Sequence, residues 1–216
     1  MKFEITPLCG ALGAEVHGID LSQNMDPANF CKIKDAFHDN IVLLFRKQCI
    51  TPSQQVSFTS CFGPVEPHPL GSRDGALSQP EILVLENRAE IPAPRNDFWH
   101  SDISFAECPP LGSVLYALEV PGEGLGDTLF CNMYSVFEEL SPGLQKTLEG
   151  LRALHSAEPL VRRNNEKDNN AKQIVSIPSM VSHPVVRTHP ETGRKALYVN
   201  PYYTESFVGW TPEESR

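Results

Sequence analysis

From Gly13 to Leu21 small or apolar residues alternate with polar ones (Gly13-Ala14-Glu15-Val16-His17-Gly18-Ile19-Asp20-Leu21), the period of a half-buried strand. After Asp26-Pro27 the spacing changes to that of a helix, with Phe30, Ile33, Ala36 and Phe37 as its apolar positions and Asp26 as its N-cap. Ile41-Val42-Leu43-Leu44-Phe45 is an unbroken apolar run between polar neighbours and predicts a central strand covered on both faces. Thr51-Pro52-Ser53 opens a second helix, through Val56 and Phe58 towards Gly63. Ile82-Leu83-Val84-Leu85 and the stretch from Leu111 to Leu118 read as further strands, set apart by proline-rich connectors at Ile91 to Pro94 and at Pro109-Pro110. A short helix starts at Ser141-Pro142-Gly143, and extended chain resumes from Arg152 to His155.

Residues 162–172 are almost wholly polar, which predicts a surface loop, either a lid or an insertion. No internal repeat is visible. Short strands with Gly and Pro turns and a few covering helices predict a mainly β fold with flanking helices, a double sheet of the jelly-roll type. The mouth of such a barrel suits a metal pocket. Near the end, Thr211-Pro212-Glu213-Glu214 has the residues of a capping box, and only two residues follow it. A helix start without a helix leads to the expectation that the chain is a fragment.

The composition fits one domain. With 216 residues, 40% hydrophobic and 21% charged, the chain can bury roughly 70% of its unfolded surface around a single core. A formal charge of −9 argues against a surface for nucleic acid or for anionic membranes. No stretch approaches the roughly 20 apolar residues that span a bilayer, and Met1 to Thr6 hold no apolar run of a signal peptide, so the expected location is cytoplasmic. Cys9, Cys31, Cys49, Cys61, Cys108 and Cys131 show no C-x-x-C pair or metal-ligand spacing and read as packed thiols of a reducing compartment.

The chemistry concentrates in Trp99-His100-Ser101-Asp102. On a strand, residues i and i+2 point to one face with Cα atoms roughly 6.6 Å apart, so His100 and Asp102 could converge on one ion at ligand distances of about 2.0–2.2 Å. On a helix they would diverge.

These residues sit within a longer series of motifs: Ile5-Thr6-Pro7-Leu8, Gly13-Ala14-Glu15-Val16, Ile50-Thr51-Pro52, Phe62-Gly63, Asn96-Asp97-Phe98-Trp99-His100-Ser101-Asp102, Pro109-Pro110, Gly126-Asp127-Thr128-Leu129-Phe130, the stretch from His183 to Pro190, and Ala196-Leu197-Tyr198-Val199-Asn200. In that order they resemble the taurine dioxygenase-like family of iron(II)- and 2-oxoglutarate-dependent dioxygenases, over essentially the whole chain. The resemblance implies a double-stranded β-helix and makes His100 and Asp102 two members of a two-His, one-carboxylate facial triad, which leaves three positions open on iron(II). It implies 2-oxoglutarate and O2 as cosubstrates, with succinate and CO2 released as a small anionic organic substrate is hydroxylated. A taurine-like sulfonate, an alkylsulfate or an aryloxyalkanoate would fit that description. Thr128 matches the threonine that hydrogen-bonds 2-oxoglutarate, and His68 and Asn96 match substrate contacts. Family members are often homodimers or tetramers.

For each of these residues a plainer role exists: Thr128 as a β-branched strand residue, His68 as a loop histidine, Asn96 as a turn residue, Tyr202 and Tyr203 as core-closing aromatics rather than pocket lining. His183 and His189, both beside prolines, read as structural, and His17, His38 and His155 as surface or satisfied core positions. The resemblance also implies a distal histidine ligand and a 2-oxoglutarate-binding arginine that have no counterpart in residues 1–216, so the expected domain lacks its C-terminal quarter. Two rivals follow from that departure. One is a non-catalytic jelly-roll binding protein or pseudoenzyme. The other is a hydrolase or isomerase using His100 and Asp102 with zinc or manganese.

Overall fold

The computed structural model describes residues 3–67, 79–85, 98–122, 124–167 and 178–216, with the side chains of 164–167 left out. The chain divides into two compact units, Met1–Leu85 with Val114–Asn132 and Glu86–Ser113 with Met133–Arg216. Among the described residues no helix is long and apolar enough to cross a membrane.

In the first unit, strand β1 (Glu4–Pro7) pairs antiparallel with β2 (Ala14–His17), Glu4 opposite His17 and Pro7 opposite Ala14. The predicted alternation is realised in β2: Ala14 and Val16 are buried, and Glu15 and His17 half-buried. Helix α1 (Pro27–Asn40) begins as read, with the Asp26 carboxylate accepting from Asn29 N at 3.1 Å and proline at the first position. Its Ile33 is fully buried, which contributes about 2–3 kcal/mol of apolar transfer. The helix ends at Ile41, whose φ is +70° and whose N–H donates to the Phe37 carbonyl at 2.7 Å. That left-handed end explains a correction. The apolar run 41–45 is not a central strand covered on both faces: only Leu43–Leu44 form β3, half-buried and parallel to β2 at the edge of the order β1-β2-β3, because the run spends its first residue turning out of α1.

Helix α2 (Pro52–Ser60) has a complete capping box, with the Thr51 hydroxyl accepting from Gln54 N and the Gln54 side chain accepting from Thr51 N at 2.8 Å. Phe58 is buried in edge-to-face contact with Phe45 and Phe62, each at 5.6 Å, and Phe62 meets Phe30 at 4.9 Å. The strands expected at 82–85 and 111–118 do not form. Both stretches run outside any ladder, with Leu115 73% and Leu118 83% exposed. Apolar character made them strand-like, but a strand also needs a neighbour to take its backbone hydrogen bonds, and among the described residues none is paired with them.

In the second unit, α3 (Met133–Glu138) and α4 (Pro142–Glu149, capped by Ser141) precede β4 (Arg152–His155), α5 (Glu158–Lys167), β5 (Val181–Pro184), β6 (Val186–Thr188), β7 (Lys195–Leu197) and β8 (Thr204–Phe207). β4 is central in the antiparallel order β5-β4-β8, and β6 pairs with β7. The loop expected over 162–172 is corrected in part, since residues 162–167 continue α5 and the remainder lies outside the described residues. Polarity foretold solvent contact there, not backbone conformation. The Thr211–Glu214 capping box does form, Glu214 N donating to Thr211 Oγ1 at 3.2 Å and Thr211 N to Glu214 Oε2 at 2.9 Å, but it closes one turn rather than a helix. All six cysteines are free thiols, and all are exposed rather than packed.

Candidate metal centre

His100 and Asp102 do not stand on a ladder strand as the i, i+2 argument supposed; the chain runs irregularly to Ser101 and then turns. Ser104 N donates to the Ser101 carbonyl at 3.3 Å, closing a turn with Asp102 second and Ile103 third. Ile103 has φ +52°, a conformation that such turns usually reserve for Gly or Asn. The two side chains converge all the same: His100 Nε2 and Asp102 Oδ1 are 3.2 Å apart. Two ligands at right angles and about 2.1 Å from one ion are separated by about 3.0 Å, so the pair has the spacing of adjacent ligands.

The imidazole is also oriented for that role. His100 Nδ1 lies 2.9 Å from the Phe98 carbonyl oxygen. A carbonyl can only accept, so Nδ1 carries the proton and Nε2 is directed at Asp102. The hydrogen bond to Asp102 raises the His100 pKa above its ordinary value, against burial, with the Phe98 carbonyl and the Asp102 charge assisting. A divalent cation bound there would therefore compete with a proton for the same two atoms. The Asp102 side chain is 60% exposed, that of His100 23%.

Aromatic rings wall the histidine. Phe98 stacks on Tyr202 with centroids 3.6 Å apart and lies 5.1 Å from the His100 ring. Tyr203 presents an edge to His100 at 6.2 Å and meets Phe105 at 5.1 Å. Burial pushes the Tyr203 hydroxyl well above its ordinary pKa, so it stays protonated. The Tyr202 hydroxyl is buried without a hydrogen-bond partner among the described residues. The Arg163 guanidinium covers Phe98 at 4.9 Å from its centroid.

Among the described residues no group of three or more His, Cys, Asp or Glu could hold an ion, so the second unit offers a pair. Thr128 belongs to the first unit, exposed on irregular chain two residues after Gly126, which has φ +68°. His68 and Asn96 lie outside the described residues. His183 and His155 are buried. His183 Nε2 is 2.9 Å from the Ala106 carbonyl, and His155 Nδ1 is 3.1 Å from Ser104 Oγ. Sequence reasoning passed over Ser104, His155 and Asn200 as site residues. The available signals were the alternation in Arg152-Ala153-Leu154-His155, which turns His155 to the buried face, and the place of Ser104 two residues past Asp102.

Residues 4–216 match the family model described as taurine catabolism dioxygenase TauD, TfdA family, and the chain belongs to that family. The alpha-ketoglutarate-dependent dioxygenase cnsM of Penicillium expansum is 33% identical over 98% of this chain and 60% of its own length. The alkylsulfatase of Acinetobacter baylyi is 32% identical over 100% of this chain and 68% of its own. The crystal structure of a taurine dioxygenase from Burkholderia xenovorans superposes with a TM-score of 0.74 at 32% identity, covering 99% of this chain and 68% of that one. The chain thus spans between 60% and 68% of the length of these proteins.

Proposed function

We propose that these residues belong to an iron(II)- and 2-oxoglutarate-dependent dioxygenase that hydroxylates a small anionic organic substrate, a sulfonate, alkylsulfate or aryloxyalkanoate, within a single double-stranded β-helix domain. The observation that carries this reading is the 3.2 Å approach of His100 Nε2 and Asp102 Oδ1, with Nδ1 held by the Phe98 carbonyl. The family, and the alpha-ketoglutarate-dependent and sulfur-ester activities in the relatives' names, support it. Bound iron(II) would supply the oxidation, coupling decarboxylation of 2-oxoglutarate to succinate and CO2 with hydroxylation of a C–H bond by O2.

In this scheme His100 and Asp102 would be two of the residues that hold the ion, and the aromatic wall of Phe98, Tyr202 and Tyr203 would exclude water from the histidine side. Thr128 donates its hydroxyl to 2-oxoglutarate, and His68 and Asn96 meet the substrate head group. The scheme also calls for a third ligand and an arginine that clamps 2-oxoglutarate, and these 216 residues span 60% and 68% of the length of two relatives. A hydroxyl placed beside sulfate, sulfonate or ether oxygen leaves a carbon that collapses to a carbonyl as the head group departs.

The test is substrate-dependent succinate formation by the full-length protein supplied with iron(II), 2-oxoglutarate and O2, beside the Asp102→Ala variant. Turnover should fall at least about 10²-fold in the variant, with Tm nearly unchanged because an exposed carboxylate contributes little to the fold. Undiminished turnover would remove Asp102 from the metal site. The alternative, a non-catalytic binding protein, predicts no succinate under any of these conditions, and the dioxygenase named among the relatives does not favour it.

A further inference from the structure

We propose that buried Ser104 and His155 and half-buried Asn200 form a node that positions the His100–Asp102 pair, with His183 as a second brace; this rests on the metal-site reading given above. The need for a brace lies in the turn itself. Ile103 is β-branched and held at φ +52°, a conformation that costs on the order of 1–3 kcal/mol and persists only where the surroundings over-determine it. Asp102 immediately precedes it and His100 lies two residues further back, so the backbone at Ile103 sets how the pair is held relative to Ser104 and the chain beyond.

The surroundings supply bonds immediately after the strained residue. Ser104 is 0% exposed; its Oγ accepts from Asn200 Nδ2 at 3.3 Å and lies 3.1 Å from His155 Nδ1. Two residues on, His183 Nε2 donates to the Ala106 carbonyl at 2.9 Å. His155 comes from β4, and His183 stands opposite Ala153 on β5, so both rings share the buried face of one sheet, 5.3 Å apart between centroids. Tyr198 closes the group, stacked on His155 at 5.7 Å and edge-on to His183 at 5.5 Å. The turn is thus fastened to two neighbouring strands in addition to its own bonds, Ser104 N to the Ser101 carbonyl and Ala106 N to the Ile103 carbonyl at 3.0 Å.

Asn200 extends the node to the other ligand. Its Oδ1 accepts from Tyr202 N at 3.2 Å and Tyr203 N at 2.7 Å. Those two residues supply the rings that stack on Phe98 and meet the edge of His100. One amide therefore ties the turn behind Asp102 to the wall beside His100, and both ligands are referred to the same point. Burial holds His155 neutral at ordinary pH, so its ring enters the node as an imidazole rather than as a cation.

A merely structural node would also stiffen this unit, and metal affinity separates the two roles. In the full-length protein the Kd for Mn(II), a redox-stable stand-in for iron(II), is read from the electron paramagnetic resonance of free Mn(II), with Tm measured alongside. Ser104→Ala and His155→Leu are expected to weaken Mn(II) binding about 10–100-fold, and His155→Asn, whose amide reaches the Nδ1 position, to recover it to within about threefold. Val161→Ala, which opens a cavity at a buried position of the same unit, should lower Tm while leaving the Kd unchanged. Wild-type affinity in Ser104→Ala and His155→Leu, or an equal loss in Val161→Ala, would overturn the proposal. If His155→Leu does not fold, Ser104→Ala decides alone. Should Asp102→Ala itself bind Mn(II) like wild type, the metal reading fails first; loss in Asp102→Ala with none in Ser104→Ala sinks only the node.

Discussion

The turn behind Asp102 and the stretch carrying Thr128 are alike in sequence terms: each begins or lies within a short motif of the resemblance, and neither belongs to a helix or strand. Structurally they differ. Ser104 and Ala106 are bonded to side chains 51 and 77 residues away in sequence, and Phe105 is 3% exposed. Residues 125–130 have exposed side chains, with Leu125 65%, Leu129 73% and Phe130 53% exposed. The chain that follows Asp102 is thus held by long-range bonds within its own unit, whereas the chain around Thr128 presents exposed side chains. Pre-organisation matters because an ion bound by only a few protein ligands tolerates little misplacement of any of them.

Amide hydrogen exchange offers the largest test of that contrast. Ser104 and Ala106 amides should exchange at least about 10²-fold more slowly than those of residues 127–130, and equal rates would erase the distinction. Of intermediate size is the effect of Thr128→Val, which keeps the shape and removes the hydroxyl. It should raise the KM for 2-oxoglutarate about tenfold while leaving Mn(II) affinity alone, since one hydrogen bond to a charged group contributes about 1.5 kcal/mol or more. An unchanged KM would return Thr128 to the role of a plain β-branched residue.

The smallest effect is a pH dependence of stability. Burial, helped by the nearby His183, lowers the His155 pKa from 6.5 to about 4, so between these values the unfolded chain binds a proton that the folded one refuses. The stability contribution is full above pH 6.5 and is lost as pH falls towards 4. Tm should decline by several degrees over that interval, and less steeply in His155→Asn, which has no titratable ring. A parallel decline in both proteins would assign it to other groups.

What was legible in the sequence was local. Asp26-Pro27, Thr51-Pro52 and Ser141-Pro142 each start the helix they announce, because an N-cap and a proline satisfy or remove the first unpaired amides without help from elsewhere. The alternation of β2 survives because one of its faces is buried. The strands read at 82–85 and 111–118 failed for the converse reason: pairing is a property of two segments, and the apolar run of one does not reveal whether the other is present. Helix α5 was hidden because a polar composition suits an exposed helix as well as a loop.

The sequence by itself determined the family, through motifs in a fixed order, and determined that His100 and Asp102 are the pair to watch, since two residues of separation keep them within reach of one ion. Tertiary structure alone decided how they meet. The pair stands not on a ladder strand but at the entry to a turn, with Asp102 its second residue and a left-handed isoleucine its third, and the chain brings further partners to that turn from β4, β5 and Asn200. Those partners are distant in sequence, and their spacing to His100 carries no periodic signal that a single chain could display.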